Sequence, residues 1–360
     1  MMDKTATLSN RQTYYPAVRF LYFRRTVFLP LLMIIFLGLI LSACKKTGPT
    51  GPVPPEDKGY SYYHIGNTED VTPATNPGYV LMGGGSDVDE AFRWMIQRSG
   101  GGDFVVLRAS GGDGYNPYIY NLGQVDSVET LVVYSRRGAS DQFVVDKVRK
   151  AEAIFIAGGD QSDYMNFWKG TPLNEAINYA ISRGAVIGGT SAGLAVLGEF
   201  IFAAYRGTVY SSEALSNPYH SYVTLERNFL NIPVLQRVIT DSHFLARDRM
   251  GRLIVFLARI IKDGWALEAR GIGINEATAL LVEPDGSAGV VGRSAVYFLL
   301  ADKMPEVCQS GVPLTFTNIP VYKITAGGYF NLVTWQGSGG LAYSISAVSG
   351  NLSSSTGSIY

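Results

Sequence analysis

The sequence predicts an α/β fold, a mostly parallel sheet with helices on both faces, followed by a small C-terminal β-rich extension. Two observations carry this. Short apolar runs rich in β-branched residues alternate with helical periodicities between residues 79 and 197, and strands separated by helices of ordinary length build parallel sheets covered on both sides. Several of those runs also end in glycine-rich turns: Gly83-Gly84-Gly85, Gly158-Gly159-Asp160-Gln161 and Gly189-Thr190-Ser191-Ala192-Gly193. Ligands bind at the carboxyl ends of parallel strands, so these turns are expected to gather along one edge of the sheet.

Taken in order, residues 79–82 read as a strand and 89–97 as an amphipathic helix. Strands are expected at 104–107 and 130–134, a helix within 139–150, a strand at 153–157 and a helix at 173–182. A strand at 185–188 then leads into a helix opening at 192–197, and the apolar run 234–239 reads as a further strand. From about residue 306 short alternating stretches, 312–316, 321–324, 329–335 and 341–348, are separated by Gly/Ser turns and read as antiparallel hairpins. About 55 residues are too few for a self-sufficient domain. The extension 306–360 is therefore an add-on to a catalytic body at 61–305, or a module that faces substrate or attaches to a surface.

The first 60 residues read as targeting. Arg19, Arg24 and Arg25 precede an apolar run from Val27 to Ile40, which leads into Leu41-Ser42-Ala43-Cys44. A positive region, an apolar region and small residues before a cleavage point make a signal peptide. The ending resembles a bacterial lipoprotein lipobox, so residues 1–43 are expected to be removed and Cys44 to carry lipid. An uncleaved membrane anchor is the alternative, and both place the rest of the chain outside the cytoplasm. Residues 44–60, rich in Pro and Gly, read as an extended tether. The expected location is an exported lipoprotein on a bacterial membrane, outer membrane or cell surface.

Composition narrows the chemistry. Thirty basic and thirty acidic residues cancel, with no basic cluster interleaved with aromatics in the mature chain, which argues against a nucleic-acid partner. Two cysteines, Cys44 and Cys308, in unlike contexts exclude a disulfide framework. Three dispersed histidines without H-E-x-x-H spacing give a zinc mechanism no ligands, and no cofactor or metal is expected.

The strongest chemical pattern is Gly189-Thr190-Ser191-Ala192-Gly193, a G-x-S-x-G turn between a strand and a helix. Such a turn presents the Ser191 hydroxyl at a helix N-terminus, where backbone N–H groups can stabilise an oxyanion. A serine needs a base. His64 lies beside the tether and His220 in a polar, Pro-containing stretch, whereas His243 follows the apolar run 234–239 and so reaches the edge that carries Ser191. For the acid that orients the imidazole, Glu199, Glu213, Asp241 and Glu276 all qualify by type.

Gly158-Gly159-Asp160-Gln161, Gly189-Thr190-Ser191-Ala192-Gly193 and Asp241-Ser242-His243-Phe244 with Arg247 resemble, in that order, the cyanophycinase branch of the S51 serine peptidases, which also contains aspartyl dipeptidases. Gly273-Ile274-Asn275-Glu276-Ala277-Thr278-Ala279 resembles that family's strand beside the site. The resemblance spans about residues 79–300. It implies a flavodoxin-like sheet related to glutamine amidotransferases and a Ser, Glu, His relay in that chain order, with Ser191, Glu213 and His243 as its members. It implies oxyanion donors at Gly159 and Ala192, and substrate contacts from Asp160, Gln161 and Arg247. Ser242 departs from the pattern, since members that cut cyanophycin commonly carry Gln there. The implied reaction is hydrolysis of aspartyl or β-aspartyl peptides, with cyanophycin as one substrate, and family precedent is compatible with a homodimer. An esterase or amidase on the same fold, or a surface-binding lipoprotein that captures ligand on the Gly-rich edge, are the rival readings.

Overall fold

The computed structural model describes residues 57–360; the leader, Cys44 and the tether through residue 56 lie outside the described residues. Five apolar runs, buried almost throughout, form the parallel centre of the first sheet: β2 (Tyr79–Met82), β3 (Asp103–Arg108), β4 (Ser127–Val133), β5 (Ala153–Ile156) and β6 (Val186–Thr190). They lie in the order β4-β3-β5-β6-β2. Alternate residues serve opposite faces. Val80, Met82, Phe104, Val106 and Phe155 meet α1 (Asp89–Arg98) and α2 (Tyr115–Tyr120). Leu81, Val105, Leu107, Ile154 and Ile156 share the opposite core with α3 (Gln142–Lys150), α4 (Gln161–Phe167) and α5 (Pro172–Arg183).

The first strand of this sheet, among others, was not apparent from hydrophobic alternation. β1 (Tyr60–Gly66) is half-exposed and pairs antiparallel with β4, from Tyr60 opposite Val133 to Gly66 opposite Ser127. Its Tyr60 and Tyr62 pack on Phe143 of α3. At an edge such lateral contacts replace an apolar inner face.

A second sheet adjoins the first and brings His243 to the site. It contains β7 (Phe200–Phe202), β8 (Leu225–Arg227), β9 (Val238–Asp241), β10 (Ala269–Ile274) and β13 (Val296–Ala301), with β9 parallel to β10. The strand expected at 234–239 begins only at Val238. Pro233 opens a single 3-10 turn over Pro233–Leu235 instead, as a residue with fixed φ and no N–H favours a turn over a ladder. Helix α8 (Met250–Lys262) covers this sheet and is buried along nearly its whole length. Between β6 and α8 lie α6 (Ala192–Ala195), a single turn where a helix through 197 was expected, and α7 (Ser211–Ser216).

From β10 the chain crosses back to the first sheet through Asn275-Glu276-Ala277. There β11 (Thr278–Val282) pairs antiparallel with β2, and β12 (Ser287–Gly292) extends it. The C-terminal stretch enters both sheets. After β14 (Val307–Gln309), β15 (Val312–Ile324) pairs with β13, and β18 (Leu341–Val348) and β19 (Asn351–Ser354) extend that sheet; β16 (Tyr329–Asn331) and β17 (Gln336–Ser338) line up on β12. The stretches 312–316 and 321–324 are one strand. A register shift between Phe316 and Ile319, with Asn318 at φ 52°, interrupts the alternation that separated them in the sequence.

Candidate active site

Ser191 stands between β6 and α6 at φ 54° and ψ −114°, a backbone state that a side chain occupies only when its surroundings enforce it. The flanking glycines supply the room. A Cβ on Gly193 would run into the Ile156 carbonyl oxygen, and one on Gly189 would stand 2.6 Å from the carbonyl carbon of Gly193. The Ser191 amide donates to Met82 O at 3.2 Å, which ties the turn to the end of β2.

His243 comes from the other sheet, two residues past the end of β9. Its φ is 45°, and its amide donates to Gly83 O at 2.7 Å, which pins the histidine turn to the first glycine-rich loop. Its Nε2 lies 2.8 Å from Ser191 Oγ, and its Nδ1 lies 2.6 Å from Glu276 Oε1. A carboxylate only accepts, so the Nδ1 proton faces Glu276 and Nε2 is left to accept from the serine hydroxyl. Burial holds the His243 pKa below its ordinary value; the Glu276 hydrogen bond opposes this, and Arg247 and Arg249 add to it. A neutral imidazole near neutral pH is what a general base needs.

The acid beside His243 is therefore Glu276, in the crossing between β10 and β11, and not Glu213. Glu213 sits in the first turn of α7, where Oε2 accepts the Tyr210 amide at 2.9 Å, an N-terminal cap rather than a partner for an imidazole. The chain order of the three groups is Ser, His, Glu. The remaining two acids are also engaged elsewhere. Glu199 accepts the Arg237 amide at 2.6 Å. Asp241 is buried and bound by Arg252, Nε to Oδ2 at 2.7 Å and Nη2 to Oδ1 at 2.5 Å, and by Arg249 at 3.3 Å.

A cavity of about 200 Å³ opens beside Ser191. Gly159, Asp160, Gln161, Ala192, Ser242 and Arg247 all line it, so the predicted oxyanion and substrate residues share one space with the serine. Asp160 is partly spoken for, since Oδ1 caps α4 by accepting the Ser162 amide at 2.9 Å. Gln161 Nε2 donates to Phe202 O at 3.3 Å. Arg247 is exposed at the rim. Arg249 and Arg252 line the same wall and were not singled out from the sequence; their signal was their place in the turn and helix start that follow His243. Burial pushes the Arg249 guanidinium down to about 10, with Asp241 opposing.

The other histidines are remote from this chemistry. His64 lies in β1 with Nε2 2.7 Å from Asn67 O, and His220 packs edge-on against Tyr222 at 5.2 Å. Cys308 is a buried free thiol whose pKa burial pushes up to about 11. Among the described residues no helix is long and apolar enough to cross a membrane.

In sequence the chain is similar to known peptidases and cyanophycinases. The family model of Peptidase family S51 matches residues 127–287. The cyanophycinase of Synechococcus elongatus is 29% identical over 276 residues, which cover 72% of this chain and 80% of that protein. The cyanophycinase of Geminocystis herdmanii is 28% identical over 279 residues, 73% of this chain and 96% of that one. Among solved structures, a peptidase from an acI-B1 Actinobacterium aligns with a TM-score of 0.48 at 19% identity, over 72% of this chain and 98% of that chain.

Proposed function

We propose that this chain, a cyanophycinase-like serine peptidase of family S51, hydrolyses aspartyl or β-aspartyl peptide bonds through a Ser191, His243, Glu276 relay. The single observation behind the relay is the hydrogen-bonded line from Ser191 Oγ through the His243 ring to Glu276 Oε1, with steps of 2.8 and 2.6 Å. His243 Nε2 takes the serine proton as Oγ attacks the carbonyl carbon. The tetrahedral oxyanion is held by the backbone N–H groups of Gly159 and Ala192. His243 then protonates the leaving amine, and a water molecule activated by the same imidazole releases the acyl group. Glu276 keeps the ring in its working tautomer and offsets the charge on the transient imidazolium.

The preference for an acidic acyl residue is supported by the arginine wall. Asp241 and Asp160 stand against Arg249, Arg252 and, at the rim, Arg247, which leaves one positive charge in excess. A net positive cavity favours a carboxylate group on the acyl-side residue. Cyanophycin, the substrate named for the relatives, carries an aspartyl carbonyl in every scissile bond and is the substrate we propose to test first.

The leader supports export and lipidation at Cys44, which would hold the peptidase on a bacterial membrane surface. Loss of fatty-acid incorporation in Cys44→Ala is the expected outcome; incorporation unchanged in that variant would remove the lipoprotein reading.

The deciding experiment is release of β-aspartyl-arginine from purified cyanophycin by the full chain and by Ser191→Ala. Release abolished in the variant establishes nucleophile and substrate together. Labelling of wild type alone by a fluorophosphonate, without release, keeps the serine peptidase and discards cyanophycin. Absence of labelling removes the serine nucleophile.

A further inference from the structure

Tyr360 lies against the segment that carries His243. Its hydroxyl donates to Asp248 Oδ1 at 2.8 Å and accepts the Met250 amide at 2.9 Å, one of the first-turn N–H groups of α8 that have no partner within the helix. Its ring meets Phe244 and Tyr297 edge-on, each with 5.9 Å between centroids. The preceding residue is held as well, as Tyr343 Oη donates to Ile359 O at 3.0 Å.

The segment from His243 to Met250 needs such support. It contains two non-glycine residues at positive φ, His243 at 45° and Asp248 at 47°, and strain of this kind costs roughly 1–3 kcal/mol per residue unless the surroundings compel it. The His243 end is held by Gly83 O and by the Leu245 amide donating to Asn275 Oδ1 at 3.0 Å. The Asp248 end is held by Ser211 Oγ, which donates to Asp248 O, and by Tyr360. Phe244, adjacent to the base, is fully buried and lies so close to Gly273 that a Cβ there would stand 2.6 Å from its ring. Tyr360 bounds that ring on a further side.

We infer that Tyr360 is a positioning residue for the Ser191–His243 pair, its ring fixing Phe244 beside the base and its hydroxyl fixing the Asp248 to Met250 end of the same segment. The strand-rich C-terminal stretch thus serves the site directly through one side chain that is 117 residues from His243 in sequence. This rests on Ser191 being the nucleophile.

The test is the rate at which a fluorophosphonate labels the full chain, measured against pH for wild type, Tyr360→Phe and Tyr360→Ala below the unfolding temperature of each. Tyr360→Phe keeps the ring and loses one bridging hydroxyl, so labelling slows by about fivefold or less. Tyr360→Ala frees Phe244, and labelling slows by about 100-fold. The acid limb of its rate profile also moves to higher pH, because burial is what lowers the His243 pKa and a loosened segment admits water; the charged groups facing the ring, Glu276, Arg247 and Arg249, are unchanged in the variant. Wild-type rate and an unmoved limb in Tyr360→Ala would overturn the inference even if its melting temperature fell. Absence of labelling in the wild type would instead overturn the serine-nucleophile reading on which the inference depends.

Discussion

Gly84 and His243 face each other so closely that a Cβ on the glycine would stand 2.6 Å from both Nε2 and Cε1 of the ring and 3.1 Å from Ser191 Cβ. Gly84 also has φ 86°, so a side chain there is strained before it meets the imidazole. Gly84→Ala is expected to push His243 off Ser191 and to lower kcat/KM by about 100-fold or more, since displacements near 1 Å cost that much in a positioned pair. Steady-state kinetics beside a circular-dichroism melt checks this. A variant that melts like the wild type and keeps its activity would refute the close opposition.

The two candidate acids make opposite predictions. Glu276→Gln keeps the shape but replaces an acceptor-only carboxylate with an uncharged amide that can also donate, so the His243 tautomer is no longer fixed, and kcat is expected to fall on the order of 10³-fold with the fold intact. Glu213→Gln removes only a carboxylate that caps the Tyr210 amide, which costs about 1 kcal/mol of stability or less and leaves kcat essentially unchanged. Turnover of the two variants on one substrate separates the roles. Equal losses would contradict the assignment of Glu276.

Much of this was readable in the sequence because the residues involved punctuate elements. Buried parallel strands are continuous apolar runs, and Ser191 and the Gly-rich turns stand at their ends, so position followed from pattern. Glu276 could not be separated from Glu199, Glu213 and Asp241 because its role depends on a crossing between two sheets, from β10 to β11, that leaves no periodic trace. The resemblance pointed to an acid before the histidine, whereas the nearest carboxylate in space lies 33 residues after it. The single long strand Val312–Ile324 was hidden for a local reason, its bulge at Asn318 breaking the period of two.

The pH dependence follows from the burial of His243. Its pKa is lowered from 6.5, by desolvation first and then by Arg247 and Arg249, against the Glu276 hydrogen bond. The acid limb of kcat/KM is therefore expected below pH 6.5. Stability has the same sign. The unfolded chain binds a proton at this histidine more readily than the native chain does, so this contribution is fully present above pH 6.5 and is lost as pH falls through the window between 6.5 and the lower folded value. Glu276→Gln removes an influence that raises the pKa, so its acid limb should move further down. A limb that moves up in that variant would contradict the origin assigned to the shift.

Asp241 sits two residues before the base and by sequence alone could have been read as its partner, but its surroundings give it a different task. Both carboxylate oxygens face Arg252, which is 3% exposed, and Arg249 approaches at 3.3 Å. Arg252 in turn donates to Thr208 Oγ1 at 3.0 Å, so the pair ties the end of β9 to the start of α8 and to the segment before α7. Removing one partner of a buried ion pair leaves an uncompensated charge and costs about 3–5 kcal/mol. Asp241→Ala is therefore expected to lower the melting temperature strongly, with two arginines left to repel each other beneath the cavity. Asp241→Ala combined with Arg252→Met removes both members of the main pair and should recover most of that loss. A double variant no more stable than Asp241→Ala would mean that the carboxylate stabilises the fold through something other than these arginines.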